Sequence, residues 1–188
     1  MKKVVNLVLI LAVAFGSMAF TTPVKKKINP AESTIKWKGE KVLGSHHGTI
    51  ALKEGFLEMD GDKITGGRFV VDMTSIENND LEGGSKGKLE GHLKSDDFFG
   101  VKSHPTATLE ITSATAAKNG YDITGNITIK GITESISFNL VKNGNTATAK
   151  LAIDRTKFGI RYGSGSFFDN LGDKTISDNF ELDVKLAF

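Results

Sequence analysis

The sequence predicts an all-β protein: an antiparallel barrel of about eight strands with a short helix near its mouth. Three observations carry that prediction. Segments such as Phe69-Val70-Val71-Asp72-Met73, Thr106-Ala107-Thr108-Leu109-Glu110-Ile111 and Phe180-Glu181-Leu182-Asp183-Val184-Lys185-Leu186 place an apolar side chain at every second position. A period of two turns one strand face to a core and the other to water. Turn signals separate these segments at short intervals, so most neighbours join as hairpins. Where the alternation breaks, Leu89 and Leu93 stand one helical turn apart. A sheet so patterned must cover its apolar face, either by stacking on a second sheet or by curling on itself. An antiparallel meander of this many strands closes naturally into a barrel able to hold one small ligand.

The elements follow in order. Lys2 and Lys3, an apolar run over 4–15 and the small residues Ser17 and Ala19 read as a secretory signal over 1–19, cut after Ala19. The run is short for a bilayer span, which takes roughly 20 apolar residues, so no integral membrane span is expected after cleavage. Residues 20–31, with Pro23 and Pro30, read as a flexible leader, and Lys25-Lys26-Lys27 as a solvated basic cluster. The barrel domain is expected over 32–188. Its first strand, 33–38, sets Ile35 and Trp37 on one face, and the second, 45–53, turns Ile50 and Leu52 inward. A short arm at 55–60 ends in the turn Asp60-Gly61-Asp62. A long strand spans 63–74, with Gly66-Gly67 marking a bulge or sharp bend. The irregular stretch 75–104 holds the helix, expected at 86–94. After Pro105, strands are expected at 106–113, 120–130, 132–142, 145–154 and 174–188, with tight reversals at Asn119-Gly120, Gly131 and Asn143-Gly144. A second excursion, 155–173, interrupts them.

Composition narrows the function. A chain of 188 residues suits one domain once the signal is removed. Loss of Lys2 and Lys3 leaves basic and acidic residues in balance, which gives no electrostatic ground for nucleic acid or an anionic membrane. With no cysteine anywhere, a disulfide framework, a lipoprotein anchor, a thiol nucleophile and an iron–sulfur cluster are excluded. His46, His47, His92 and His104 do not make a metal site, because neighbours on a strand face opposite ways and no spaced partner supports them. No cofactor is required.

Three ordered segments carry a resemblance. They are His92-Leu93-Lys94-Ser95-Asp96-Asp97-Phe98-Phe99 with His104-Pro105-Thr106-Ala107-Thr108-Leu109; the hairpin from Tyr121-Asp122-Ile123-Thr124-Gly125 to Lys130-Gly131-Ile132-Thr133; and Ile153-Asp154-Arg155-Thr156-Lys157-Phe158-Gly159-Ile160. Together with Trp37 they resemble the YceI-like family along essentially the whole mature chain. The chain departs from the family pattern at Glu90-Gly91, where a basic–acidic pair is common. The resemblance implies a lipocalin-like barrel that holds a long apolar molecule, typically a polyisoprenoid such as a quinone tail, without catalysis.

The alternation places Trp37, Phe69, Val71, Met73, Leu109, Ile111, Ile123, Ile127, Ile129, Ile136, Phe138, Leu140, Ile153, Leu182 and Val184 inward, as candidate cavity lining. Leu93, Phe98, Phe99, Phe158, Phe167 and Phe168 join them from the two excursions. Each Phe-Phe pair is either a flap at the mouth or a plug at the core's end. His92, Asp96 and Arg155 are candidate contacts for a ligand head group. The other readings are a loop brace for Asp96 and, for Arg155, a tie from its turn to a carboxylate or carbonyls. The expected partner is an isoprenoid or fatty-acyl lipid, and a homodimer is compatible with the sequence.

A different class competes. Phe180, Leu182, Val184, Leu186 and the final Phe188 alternate like an outer-membrane assembly signal. Such a barrel needs aromatic girdles and an apolar exterior. This chain offers Trp37, Tyr121 and Tyr162 for girdles, and the polar faces of its strands carry Lys36, Lys38, Asp72, Glu110, Glu181, Asp183 and Lys185. An isomerase or hydrolase has no motif behind it.

Overall fold

The computed structural model describes residues 23–188, so the signal expected over 1–19 lies outside the described residues. Eight strands form the barrel: β2 (Thr34–Lys41), β3 (Gly44–Asp60), β4 (Lys63–Asn78), β5 (Thr106–Ala117), β6 (Gly120–Ile129), β7 (Ile132–Asn143), β8 (Thr146–Asp154) and β9 (Ile176–Ala187). Each pairs antiparallel with its chain neighbour. The ring closes where β9 returns to β2, with Ile35 opposite Val184 and Trp37 opposite Leu182. Helix α1 (Gly83–Lys94) and the loops 95–105 and 155–175 sit at one end, the mouth. The turns after β3, β5 and β7 lie at the other end, the base.

The alternation read from the sequence sorts the two faces. On β8, Ala147, Ala149, Leu151 and Ile153 are buried while Thr148, Lys150 and Ala152 are exposed. Lys36, Lys38, Glu110, Glu181, Asp183 and Lys185 all face water. An apolar inside with a charged outside is the reverse of what a lipid-spanning barrel requires.

Three expectations are corrected. Part of the leader expected to be flexible is built into the fold: β1 (Val24–Lys27) pairs with β3, Val24 opposite Met59 and Lys27 opposite Phe56. β2 reaches only Gly44–Ile50 of β3, which leaves the strand's far half an unpaired edge for β1 to cover. Ile28 is buried at the base, where its N–H donates to Gly55 O at 2.9 Å, and Asn29 N–H donates to Ala187 O at 2.7 Å. The lysines that looked like a solvated tail keep their ammonium groups outside, Lys25 over the Phe56 ring and Lys26 over Phe188. Secondly, the strand expected at 45–53 and the arm at 55–60 are one strand of 17 residues, which a bulge near Lys53 bends without ending it. Thirdly, α1 begins at Gly83, earlier than expected.

Two irregularities shape the wall. β4 leaves the β3 ladder between Asp72 and Glu77, so that residues 73–76 bow inward opposite Ile50. β7 and β8 pair only from Leu140–Ala149 to Asn143–Thr146 and part above that point. A 3-10 turn after β8 (Arg155–Phe158) packs against β7 there, with Phe158 and Ile160 fully buried. Side chains, not a strand ladder, complete the barrel at this place.

Candidate functional site

Inside the barrel runs a cavity of about 190 Å³ with almost no polar atoms on its wall. Every strand of the ring contributes to it: Ile35, Trp37 and Gly39 from β2; Ile50 and Leu52 from β3; Phe69, Val71, Met73 and Ile76 from β4; Ala107, Thr108, Leu109 and Ile111 from β5. Ile127 and Ile129 (β6), Phe138 and Leu140 (β7), and Ala149, Leu151 and Ile153 (β8) complete one side. On β9 the lining runs from Ile176 to Leu186. At about 3.3 Å per residue that is roughly 33 Å of strand, or about 25 Å along the axis at a tilt near 40°. The cavity is therefore a narrow tunnel. Below it, Leu57, Ile64, Ile123 and Ala147 pack the base solid.

The mouth is roofed by aromatic rings. A chain of backbone bonds folds the loop after α1 back on the helix: Phe98 N–H to Ser95 O, Phe99 N–H to Leu93 O and Val101 N–H to Lys94 O. It drops Phe98 and Phe99 onto the tunnel with Leu93 beside them. Their rings meet edge to face at 5.1 Å, and Phe99 meets Phe180 of β9 at 6.0 Å. The turn between β6 and β7 braces this loop. Lys130 and Gly131 both have positive φ, 52° and 77°, as a two-residue hairpin turn of this hand demands. From there Lys130 Nζ donates to Asp96 O at 2.6 Å.

Helix α1 is anchored through a polar cluster. The Asn78 amide donates to His47 O and to Asp80, and its N–H donates to Glu90 Oε1 at 2.9 Å. Asp80 also accepts from His47 N–H at 2.9 Å and meets His46 Nδ1 at 2.7 Å. Burial opposes the charge of Asp80, but the His47 N–H, His46 and Asn78 outweigh it and bring its carboxyl down to about 2. Beside this cluster Trp37 Nε1 donates to Thr49 O and Glu77 O, bridging β3 and β4 next to the inward bow. A Cβ at Gly48 would run into the Glu77 carbonyl and the Trp37 ring, so only glycine allows that approach.

Arg155 carries the second roof element. Nearly fully buried, it donates from Nε to Ser177 O (2.9 Å), from Nη1 to Ile160 O (2.8 Å) and from Nη2 to Ile176 O (3.1 Å). Asp178 Oδ1 lies 3.6 Å from Nη2. The Ser164 and Ser166 hydroxyls lower the Asp178 carboxyl, burial works the other way, and the Arg155 charge adds to the lowering. The guanidinium sits over the Phe98 ring at 5.6 Å. Arg155 thus ties the 155–175 excursion to the start of β9 while its side chain touches the tunnel.

Of the predicted lining, Trp37, Phe69, Val71, Met73, Leu93, Phe98, Phe99, Leu109, Ile111, Ile127, Ile129, Phe138, Leu140, Ile153, Leu182 and Val184 meet in this tunnel. Five do not reach it. Ile123 belongs to the base beneath, Ile136 stands half-buried where β7 has lost β8, and Phe158 is buried in the 3-10 turn. Phe167 and Phe168 are exposed on the outer rim, because the bonds from both their N–H groups to Ser164 O turn the chain outward. Among the head-group candidates, Arg155 alone lines the tunnel. Asp96 is exposed outside the roof. The His92 ring packs between Phe98 (5.6 Å) and Tyr162 (4.4 Å), with Nε2 buried and without a hydrogen-bond partner among the described residues. Ala149, Leu151, Ile76 and the β9 residues Ile176, Ser177 and Asn179 were missed. Strand alternation signalled Ala149 and Leu151, whereas the bow that aims Ile76 inward has no local sequence mark.

A closed antiparallel barrel around an apolar tunnel, roofed by a helix and loops, defines a ligand-enclosing β-barrel. The chain belongs to the YceI-like family, whose domain it matches over residues 27–188. A UPF0312 protein of Pseudomonas aeruginosa is 34% identical over 141 residues, covering 67% of this chain and 68% of that protein. Protein YceI of Salmonella agona is 27% identical over 143 residues, covering 68% and 69%. Among solved structures, Burkholderia cenocepacia BcnA aligns with a TM-score of 0.62 at 20% identity, over 86% of this chain and 99% of BcnA. A polyisoprenoid binding domain from Saccharophagus degradans aligns with a TM-score of 0.56 at 14% identity, over 85% and 95%. Those two likenesses speak to the fold.

Proposed function

We propose that this protein is an exported, soluble binding protein that holds a long apolar chain, of polyisoprenoid, quinone-tail or fatty-acyl type, in its barrel. The shape of the tunnel carries the reading: about 25 Å long by strand geometry, narrow, and dry. An unfilled apolar void of about 190 Å³ costs on the order of 4 kcal/mol at roughly 24 cal/mol per Å³. A barrel built only for structure would gain by packing it. A chain that hides about 500 Å² in it gains on the order of 12 kcal/mol gross at ~25 cal/mol per Å². Ordering the chain and losing its tumbling take back several kcal/mol, which leaves micromolar or better affinity. Membership of the YceI-like family supports this reading, as does the Saccharophagus degradans domain described as polyisoprenoid binding.

Binding by burial needs no catalytic group and no cofactor. The polar side chains along the tunnel are few, and the largest, Arg155, is already committed to backbone carbonyls. Export is supported by Lys2, Lys3, the apolar run 4–15 and the small residues Ser17 and Ala19. Mass spectrometry of an organic extract of the purified protein should reveal a stoichiometric isoprenoid or acyl lipid. An extract without lipid, together with no saturable binding of a long-chain isoprenoid in titration, would sink the proposal.

A further inference from the structure

Large apolar side chains that stay in water are unevenly placed on this molecule. Eight are exposed among the described residues, and six of them, Val42, Leu43, Ile132, Tyr162, Phe167 and Phe168, stand at the mouth. They are 40% to 69% exposed. They follow one continuous arc of the rim. Val42 N–H donates to Thr175 O at 3.2 Å, which sets the tip of the β2–β3 hairpin against the second excursion. Ser164 bridges to Ile176 and accepts from the N–H groups of both Phe167 and Phe168. At the far end of the arc, the backbone of Gly159 approaches Ile132. The same arc borders the tunnel, because Gly39, Ile176 and Phe180 line it.

Charge follows the same arc. In the hairpin tip and the second excursion, Lys41, Lys157, Arg161 and Lys174 are exposed against Asp169 and Asp173, with Glu40 paired to Lys38. Arg161 lies over the Phe167 ring at 4.4 Å. Exposed rings and branched aliphatics with basic residues beside them are what a surface needs to seat in a headgroup layer. The apolar tips enter the acyl boundary while the cations stay at the phosphates.

We propose that the mouth rim is a membrane-docking face, and that its partner is the surface of a lipid bilayer carrying anionic headgroups. Seated there, the tunnel opens directly into the acyl layer, and a chain passes between bilayer and barrel without crossing water. This rests on the reading that the cargo is bilayer-soluble. The test uses the purified protein with phosphatidylcholine vesicles containing about 30% phosphatidylglycerol, and a fluorescent polyene fatty acid as probe. The protein should sediment with the vesicles, and Leu43→Glu with Phe168→Glu should lower the bound fraction about tenfold or more. The double variant should also take up probe from vesicles correspondingly slowly. Leu43→Glu alone should bind probe delivered in solution like the parent. Failure of the parent to sediment, or equal sedimentation of parent and double variant, overturns the docking face. Vesicle sedimentation without any probe binding in solution would retain the face and count against the cargo reading instead.

Discussion

Blocking the tunnel without disturbing the barrel gives the sharpest test, and Ala149 is the place to do it. Its side chain faces the cavity from β8, with Leu140 of β7 and Val184 of β9 as cross-strand partners, both of which also line the tunnel. In Ala149→Phe the ring has only the void to enter. A buried aromatic covers roughly 150–250 Å². Taking about 150 Å² of contact from a bound chain, at ~25 cal/mol per Å², removes about 4 kcal/mol, so affinity should fall several hundredfold. Stability should change little, since the ring fills space that is already empty, and any strain stays within the ~1–3 kcal/mol of ordinary overpacking. Ala152→Phe on the same strand points outward and should leave binding untouched. The assay is titration with a long-chain isoprenoid or a polyene fatty acid, beside thermal melts of all three proteins. Should Ala149→Phe bind within about threefold of the parent while melting normally, the tunnel is not where the chain sits and the argument from shape fails.

Trp37 is the chain's one tryptophan and it lines the tunnel, so ligand should change its emission; a saturating ligand with no spectral effect would contradict its position. Arg155→Met keeps the hydrophobic bulk but leaves three carbonyls and Asp178 without their cation, and should cost at least about 3 kcal/mol in urea denaturation. Phe158→Ala removes the wedge where β7 and β8 part, and should cost about 3–5 kcal/mol while speeding amide exchange along the upper half of β7. Asp80 sits at about 2 when folded, against about 3.9 in an unfolded chain. Its contribution is therefore complete above about pH 4 and is lost as pH falls toward about 2. It amounts to at most about 2 kcal/mol, less after solvent screening. Asp80→Asn should flatten the stability profile across that window, and an unchanged slope would remove Asp80 as the anchor of α1.

Strand alternation carried most of the interior into view because period two is a local property that closure of the barrel does not alter. What alternation cannot encode is height. Ile123 and Ile127 lie on the same inward face of β6, yet only Ile127 reaches the tunnel, since the base packs around Ile123. Nor does it encode where neighbouring strands part: Ile136 reads like Phe138, but it stands above the last β7–β8 pair. The Phe167-Phe168 pair misleads for a different reason. Burial is the usual fate of adjacent rings, and a turn set by Ser164 overrides it. The Lys25-Lys26-Lys27 segment looked solvated because its ammonium groups are, while its backbone meets an edge that only the finished sheet creates.

The two ends of the barrel differ in what it takes to open them. Opening the base requires peeling β1 from β3, pulling Ile28 out of the core and breaking backbone bonds to Gly55 and Ala187, around a solid apolar packing. Opening the mouth requires only that Phe98 and Phe99 swing on a loop whose bonds lie within residues 93–104 and whose main outside tie is Lys130 to Asp96 O. Local openings that break few buried contacts are the frequent ones, so exchange of a chain belongs to the mouth. The Asp80 and Arg155 clusters fit that division. Each fixes the root of a roof element, α1 in one case and the 155–175 excursion in the other, and leaves the rings between them as the part free to move.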